Sequence, residues 1–184
     1  MPAASTKIVI RRDQPNGPRS QIYNDALLAQ LNTVPGFHDL KGPVMGHEGS
    51  PRPHELPTGS LFLYAVEEDT MDSIREPHPI GSLCLMPIFS GTPSFRGLPD
   101  SIDKAGEIKR MIVYAEQRGK GVATKLIEAA ERIAKTEMGI EYMVVETLLI
   151  LKGAQALYES AGFRERRLFG GYVQEDSRYF EKWL

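Results

Sequence analysis

Short apolar runs broken by turns rich in Gly, Pro and acidic residues fill the first hundred positions. Residues 7–12 (KIVIRR) form a β-branched run that predicts a strand, and residues 20–34 carry Ile22, Ala26, Leu27, Leu28 and Leu31 at roughly helical spacing. Residues 60–66 (SLFLYAV) and 80–89 (IGSLCLMPIF) read as two further strands joined across the acidic turn that begins at Glu67. Residues 107–113 (EIKRMIV) predict a fourth. Two Pro/Gly-rich stretches, 35–59 and 90–105, interrupt this series and are expected to be loops, the first long enough to act as a lid.

The second half is more regular. From 119 to 138 the apolar residues Val122, Leu126, Ala129, Ala130, Ile133 and Ala134 share one helical face, with Lys125, Glu128, Glu131, Arg132 and Lys135 elsewhere. Gly139 is placed to end that helix, and residues 141–148 (EYMVVETL) return as a strand. Ala154, Leu157, Tyr158 and Ala161 then repeat at i, i+3, i+4 and i+7 before Gly162, which predicts a second, shorter helix. Residues 163–169 and 177–184 hold two last strand candidates, and residues 148–151 are apolar enough to extend the strand before them.

This pattern over 184 residues suits one α+β domain spanning 1–184, with insertions at 35–59 and 90–105. A formal charge of −2 gives no basic footprint for nucleic acid. The single cysteine, Cys84, has no partner for an internal disulfide and sits among Leu83, Leu85 and Met86 as a core residue, which argues against a covalent acyl-cysteine route. With neither a secretory signal nor an apolar span of about 20 residues, a cytoplasmic location is expected, the nucleus not being excluded. His38, His47, His54 and His78 lack metal-ligand spacing, so no metal is expected.

The most informative stretch runs from Val113 to Thr124 (VYAEQRGKGVAT), where a strand enters two glycines that open an amphipathic helix. Glycines allow close backbone approach, the first helical turn leaves N–H groups unpaired, and the helix dipole favours an anion there. Arg118 and Lys120 add full charges. The string is not a Walker A loop, and Thr124 replaces the Gly or Ala of a dinucleotide fingerprint. Four strand candidates precede this helix, which is also unlike a βαβ unit.

The segment resembles the acyl-CoA loop [QR]-x-x-G-x-[GA] of the GNAT superfamily of N-acetyltransferases, here spanning Glu116 to Gly121 with Glu116 as the departure. Residues 107–113 look like that family's fourth strand, 139–146 its fifth, and 154–163 (AQALYESAGF) its helix and turn; the resemblance covers about 60–184. It implies a mixed, mostly antiparallel twisted sheet of six or seven strands flanked by helices, with the fourth and fifth strands splayed to admit acyl-CoA. It also implies acetyl-CoA as cosubstrate and an amine acceptor.

Carried over residue by residue, the resemblance makes Glu107 the general base and Tyr158 the proton donor to the leaving thiolate. It gives Met111, Ile112 and Val113 main-chain contacts to the thioester and pantetheine. Arg118, Gly119, Lys120, Gly121, Val122, Ala123 and Thr124 become the pyrophosphate cradle, with Ala154 beside the cofactor. Leu151 stands where many relatives carry Asn or Gln. Both Glu107 and Tyr158 also have plainer readings, an ion-paired strand carboxylate and a core phenol. Arg110 is a candidate for an acceptor carboxylate, and Phe169, Tyr172, Tyr179, Phe180 and Trp183 for an acceptor wall. A small-molecule amine, a peptide chain and a non-catalytic acyl-CoA sensor all remain compatible, as does a homodimer through the C-terminal strands.

Overall fold

The computed structural model describes residues 6–39, 56–69, 79–170 and 175–184. Seven strands form one sheet: β1 (Thr6–Asp13), β2 (Leu61–Asp69), β3 (Pro79–Phe89), β4 (Lys104–Val113), β5 (Tyr142–Leu148), β6 (Arg164–Arg166) and β7 (Ser177–Trp183). The spatial order is β1-β2-β3-β4-β5-β7-β6, antiparallel except for β4 beside β5. That parallel pair requires a crossover, which α2 (Val122–Thr136) provides.

Helix α2 and the following α3 (Lys152–Ser160) cover one face. Their buried side chains, among them Leu126, Ile127, Ala130, Ile133 and Tyr158, pack on Leu63, Leu83, Leu85, Ile108 and Val145. On the other face α1 (Pro18–Leu31) lays Tyr23, Leu27 and Leu31 over Phe62, Tyr64, Cys84 and Ile112. Farther along the same face, Leu98 and Phe169 cover Ile88, Ala105, Tyr142, Val144 and Tyr179. Among the described residues no helix is long and apolar enough to cross a membrane.

Several boundaries differ from those the sequence suggests. Pro18 starts α1 at a position where no amide donor is needed, two residues early, and the helix stops at Leu31 instead of 34. Its inner face is Tyr23, Leu27 and Leu31, while Ile22 is 63 % exposed, because stacking of Tyr23 on Tyr114 and its tilted contact with Phe62 set the helix rotation. β4 begins at Lys104, so Lys104 and Ala105 belong to the sheet and not to the loop at 90–105; within that loop, residues 93–95 form one tight helical turn. β6 keeps only three of the expected seven residues. Residues 149–150 form a turn and do not extend β5: Leu151 N–H bonds Leu148 C=O, and Gln155 Nε2 donates to the carbonyls of Leu148 and Leu149 at 3.0 and 2.9 Å.

Gly139 (φ +59°) wraps the end of α2, letting Ile140 N–H reach Ala134 C=O at 2.8 Å. Most of 35–59, with His47 and His54, lies outside the described residues, as do His78 and Tyr172 and the side chain of His38.

Candidate functional site

β4 and β5 pair through only three rungs, Gly106 with Met143, Glu107 with Val144 and Ile108 with Val145. Beyond them both strands continue, β4 to Val113 and β5 to Leu148, with no further rung between them among the described residues. The divergence has a local cause. Against β3, Ser82 faces Ile112 and Cys84 faces Lys109, so two β4 residues oppose one: a β-bulge at Arg110 and Met111, with Arg110 left-handed at φ +53°. A bulge bends its strand, and here the bend opens β4 away from β5.

The bulge also changes which side chains face which way. Before it, Ile108 packs toward α2; after it Met111 and Val113 do so, while Ile112 turns to the α1 face. Strict alternation would have put Arg110 and Ile112 with Ile108. Apolar residues at 108, 111 and 113 are therefore a signature of the bulge that was present in the sequence.

On the α1 face at the start of the opening stands Glu107, 3 % exposed. Burial pushes its carboxyl above the usual carboxylate range; the nearby Lys109 ammonium opposes this, and Glu146 adds to it. Lys109 Nζ lies 2.6 Å from Glu107 Oε1 and 3.8 Å from Glu146 Oε2. Lys109 and Glu146 were not singled out in the sequence, where neither residue has a motif of its own.

On the opposite face Tyr158 reaches the same opening from α3. Its ring packs edge-on against Phe163 and near Phe180, and its hydroxyl donates toward Met111 Sδ across 3.7 Å. Complete burial raises the phenol far above its ordinary range, so it carries its proton at every ordinary pH. A buried carboxyl and a protonated phenol thus flank one gap from its two sides. Ala154, partly buried in the first turn of α3, packs against the same core.

At the far end of β4, Gly119 and Gly121 both have φ +76°, and a Cβ built on either meets nothing within 4 Å. The two glycines therefore border open space that side chains at these positions would enter. The first helical bond of α2 runs from Lys125 N–H to Gly121 C=O at 3.1 Å, so the N–H groups of Val122, Ala123 and Thr124 lie ahead of it. Val122 is buried and fixes the helix start against the sheet. Arg118 donates from Nε to Val113 C=O at 3.4 Å, while Lys120 bonds Gln117 Oε1 at 2.7 Å and lies 3.9 Å from Glu67. This donor set suits a pyrophosphate.

Other candidates are placed differently. Arg110 sits at the bulge, where its charge acts on the buried Cys84 thiol. Leu151 packs with Leu148 and Ile150 against the α1-side cluster, an apolar contact where the resemblance leads one to expect an amide. Phe169 and Tyr179 lie together on the α1 face, whereas Phe180 is in the α2-side core and Trp183 is exposed. Among the described residues no group of three His, Cys, Asp or Glu is arranged to hold a metal ion.

Known proteins share the family pattern and the fold. Residues 38–163 match the model of the acetyltransferase (GNAT) family. An N-alpha-acetyltransferase of Saccharolobus solfataricus is 32 % identical over 85 residues, which are 46 % of this chain and 50 % of that protein. An IAA acetyltransferase of Azospirillum brasilense is 35 % identical over 80 residues, 43 % of this chain and 52 % of that protein. The chain spans about half the length of these curated relatives. The structure of Arabidopsis thaliana NAA60 in complex with acetyl-CoA superimposes with a TM-score of 0.63 over 97 % of this chain and 99 % of that one, at 16 % identity. From the matched family model and the shared fold, the chain belongs to the acetyltransferase (GNAT) family.

Proposed function

We propose that this protein, acting as one N-acetyltransferase domain over residues 1–184, transfers an acetyl group from acetyl-CoA to a primary amine of a small molecule or amino-acid derivative. The observation that carries the reading is the opening between β4 and β5, with Glu107 on one face and the Tyr158 hydroxyl on the other. Direct transfer needs a base where the amine enters and an acid where the thiolate leaves, on opposite sides of the reacting carbon. Glu107 on β4 and Tyr158 on α3 support this reading by lying on opposite faces beside the opening.

Acetyl-CoA supplies the activated acetyl thioester. Gly119, Gly121 and the free N–H groups of Val122, Ala123 and Thr124 hold its pyrophosphate, with Arg118 and Lys120 adding charge. Met111, Ile112 and Val113 offer main-chain groups along the opening, and Ala154 leaves room beside it. Glu107 takes the ammonium proton of the acceptor, freeing the nitrogen lone pair for attack. Attack forms the C–N bond, collapse of the tetrahedral intermediate breaks the C–S bond, and Tyr158 gives its proton to the departing sulfur while the new amide nitrogen loses its extra proton, which restores the phenol by way of solvent. The Cys84 thiol, fully buried and pushed up to about 12 by that burial, is unsuited to a covalent route.

The test is release of CoA from acetyl-CoA with panels of small amines, amino acids and short peptides, in wild type and in Glu107→Gln and Tyr158→Phe. Amine-dependent turnover that falls at least about a hundredfold in both variants supports the roles. Tight acetyl-CoA binding with no amine able to stimulate release would favour a sensor. A peptide α-amine as acceptor is the second reading, favoured by the relative named an N-alpha-acetyltransferase. Preference for peptides over free amines in the same panel would select it.

A further inference from the structure

Glu107 does not stand alone in the opening. Continuing the β4–β5 register past Ile108 and Val145 would pair Lys109 with Glu146. At this first lost rung the strands are bridged by side chains, with Lys109 Nζ 3.8 Å from Glu146 Oε2. Lys109 also shares its face with Glu107, two residues earlier on the same strand, and closes on it at 2.6 Å. Glu146 is itself anchored, accepting a hydrogen bond from Ser177 Oγ at 2.8 Å.

We propose that Lys109 is a positioning residue that fixes the Glu107 carboxyl beside the opening through their 2.6 Å contact, and that Glu146 holds Lys109 in place from across it. The proposal rests on the reading of Glu107 as the base. Lys109 does not compete for that role. Desolvation works against its ammonium, but the charges of Glu107 and Glu146 outweigh this and keep it above the usual lysine range. It keeps its proton and lends a fixed positive charge. Its side chain retains 37 % exposure, so solvent reaches the cluster from the Lys109 side.

The groups around Glu107 oppose one another. Burial and the Glu146 charge from β5 favour the neutral acid, and Lys109 favours the carboxylate. Tyr179 of β7 adds to the field on Lys109, and the β3 partners Met86 and Cys84 contribute an apolar side chain and an un-ionised thiol. Without Lys109, Glu107 would hold its proton to higher pH and be a base in a smaller fraction of molecules. An ion pair that merely stabilised the fold would cost stability when cut but would leave the pH dependence of turnover where it was.

The test is the pH profile of kcat/KM for an amine shown to be acetylated, in wild type, Lys109→Met, Lys109→Arg, Glu146→Gln and Glu107→Gln. Lys109→Met should move the acid limb up by about one pH unit or more, the effect of removing one close opposite charge, and cost roughly tenfold in kcat/KM below it. Lys109→Arg should return the limb most of the way. Glu146→Gln should move it the other way, to lower pH, because a charge opposing ionisation is gone. An acid limb that stays put in folded Lys109→Met, with Glu107→Gln inactive, overturns the proposal while leaving the base intact. Full activity in Glu107→Gln overturns the base reading itself and this proposal with it. Should Lys109→Met fail to fold, Lys109→Gln, which keeps a polar stem without the charge, decides: an acid limb moved up supports the positioning role, and an unmoved limb overturns it.

Discussion

Adding one methyl group at Gly119 or Gly121 separates backbone strain from ligand contact. Both residues are left-handed at φ +76°, and neither Cβ would meet anything within 4 Å, so Gly119→Ala or Gly121→Ala costs the free protein only the left-handed conformation, about 1–2 kcal/mol. For a chain of this length that lowers Tm by roughly 2–8 °C. Gly91 is a control built into the molecule: φ is +81°, nothing lies within 4 Å of its Cβ, and it sits in the turn after β3. Gly91→Ala should lose the same stability. The variants should part in isothermal titration with acetyl-CoA, where a methyl group beside the N–H groups of Val122 to Thr124 weakens binding at least about tenfold, or 1.4 kcal/mol, and Gly91→Ala leaves it unchanged. Equal acetyl-CoA affinity in all three variants and wild type would refute the placement of the pyrophosphate.

Further outcomes follow from burial and charge. Tyr158 is raised above its unfolded value near 10, so its contribution to stability is complete below about pH 10 and lost as pH rises past it. Alkaline unfolding should therefore be less steep in Tyr158→Phe, and wild-type turnover should show no basic limb near neutrality from this residue. Cys84 should resist a thiol reagent in the native protein and react fully once denaturant exposes it; rapid native labelling would contradict its burial. Arg166, in β6, bonds the Tyr142 hydroxyl at 2.7 Å, pairs with Glu181 at 3.0 Å and reaches the Gly97 carbonyl. Arg166→Met should cost about 1–3 kcal/mol in denaturant unfolding and speed proteolysis of the 90–103 segment.

What was legible in the sequence follows from how local the cause of each feature is. α2 has its inner face, its opening glycines and its closing Gly139 within one stretch, and all appear where the pattern puts them. Glu107 and Tyr158 are candidates because of the strings around them, and the two lie on opposite faces of the sheet beside the point where β4 and β5 part. The boundaries of α1 were missed because Tyr23, an aromatic outside the aliphatic pattern, sets the rotation through Phe62 and Tyr114. β6 was overextended because apolar residues such as Leu168 and Phe169 pack beneath the loop at 98 and not as strand. Lys109 and Glu146 lie 37 positions apart, and only the pairing register that ends one rung before them makes them neighbours. The bulge was present as a broken alternation, but the usual glycine is absent and Arg110 takes the left-handed position.

The measurement that bears most directly on the central claim is transfer of label from acetyl-CoA, radiolabelled in its acetyl group, to amine acceptors, followed by mass spectrometry of the products. Labelled N-acetyl product, formed by wild type and lost in Glu107→Gln and Tyr158→Phe, is the expected result. CoA binding with no labelled product from any amine or peptide, or label retained on the protein at Cys84, would contradict direct transfer across the opening between β4 and β5.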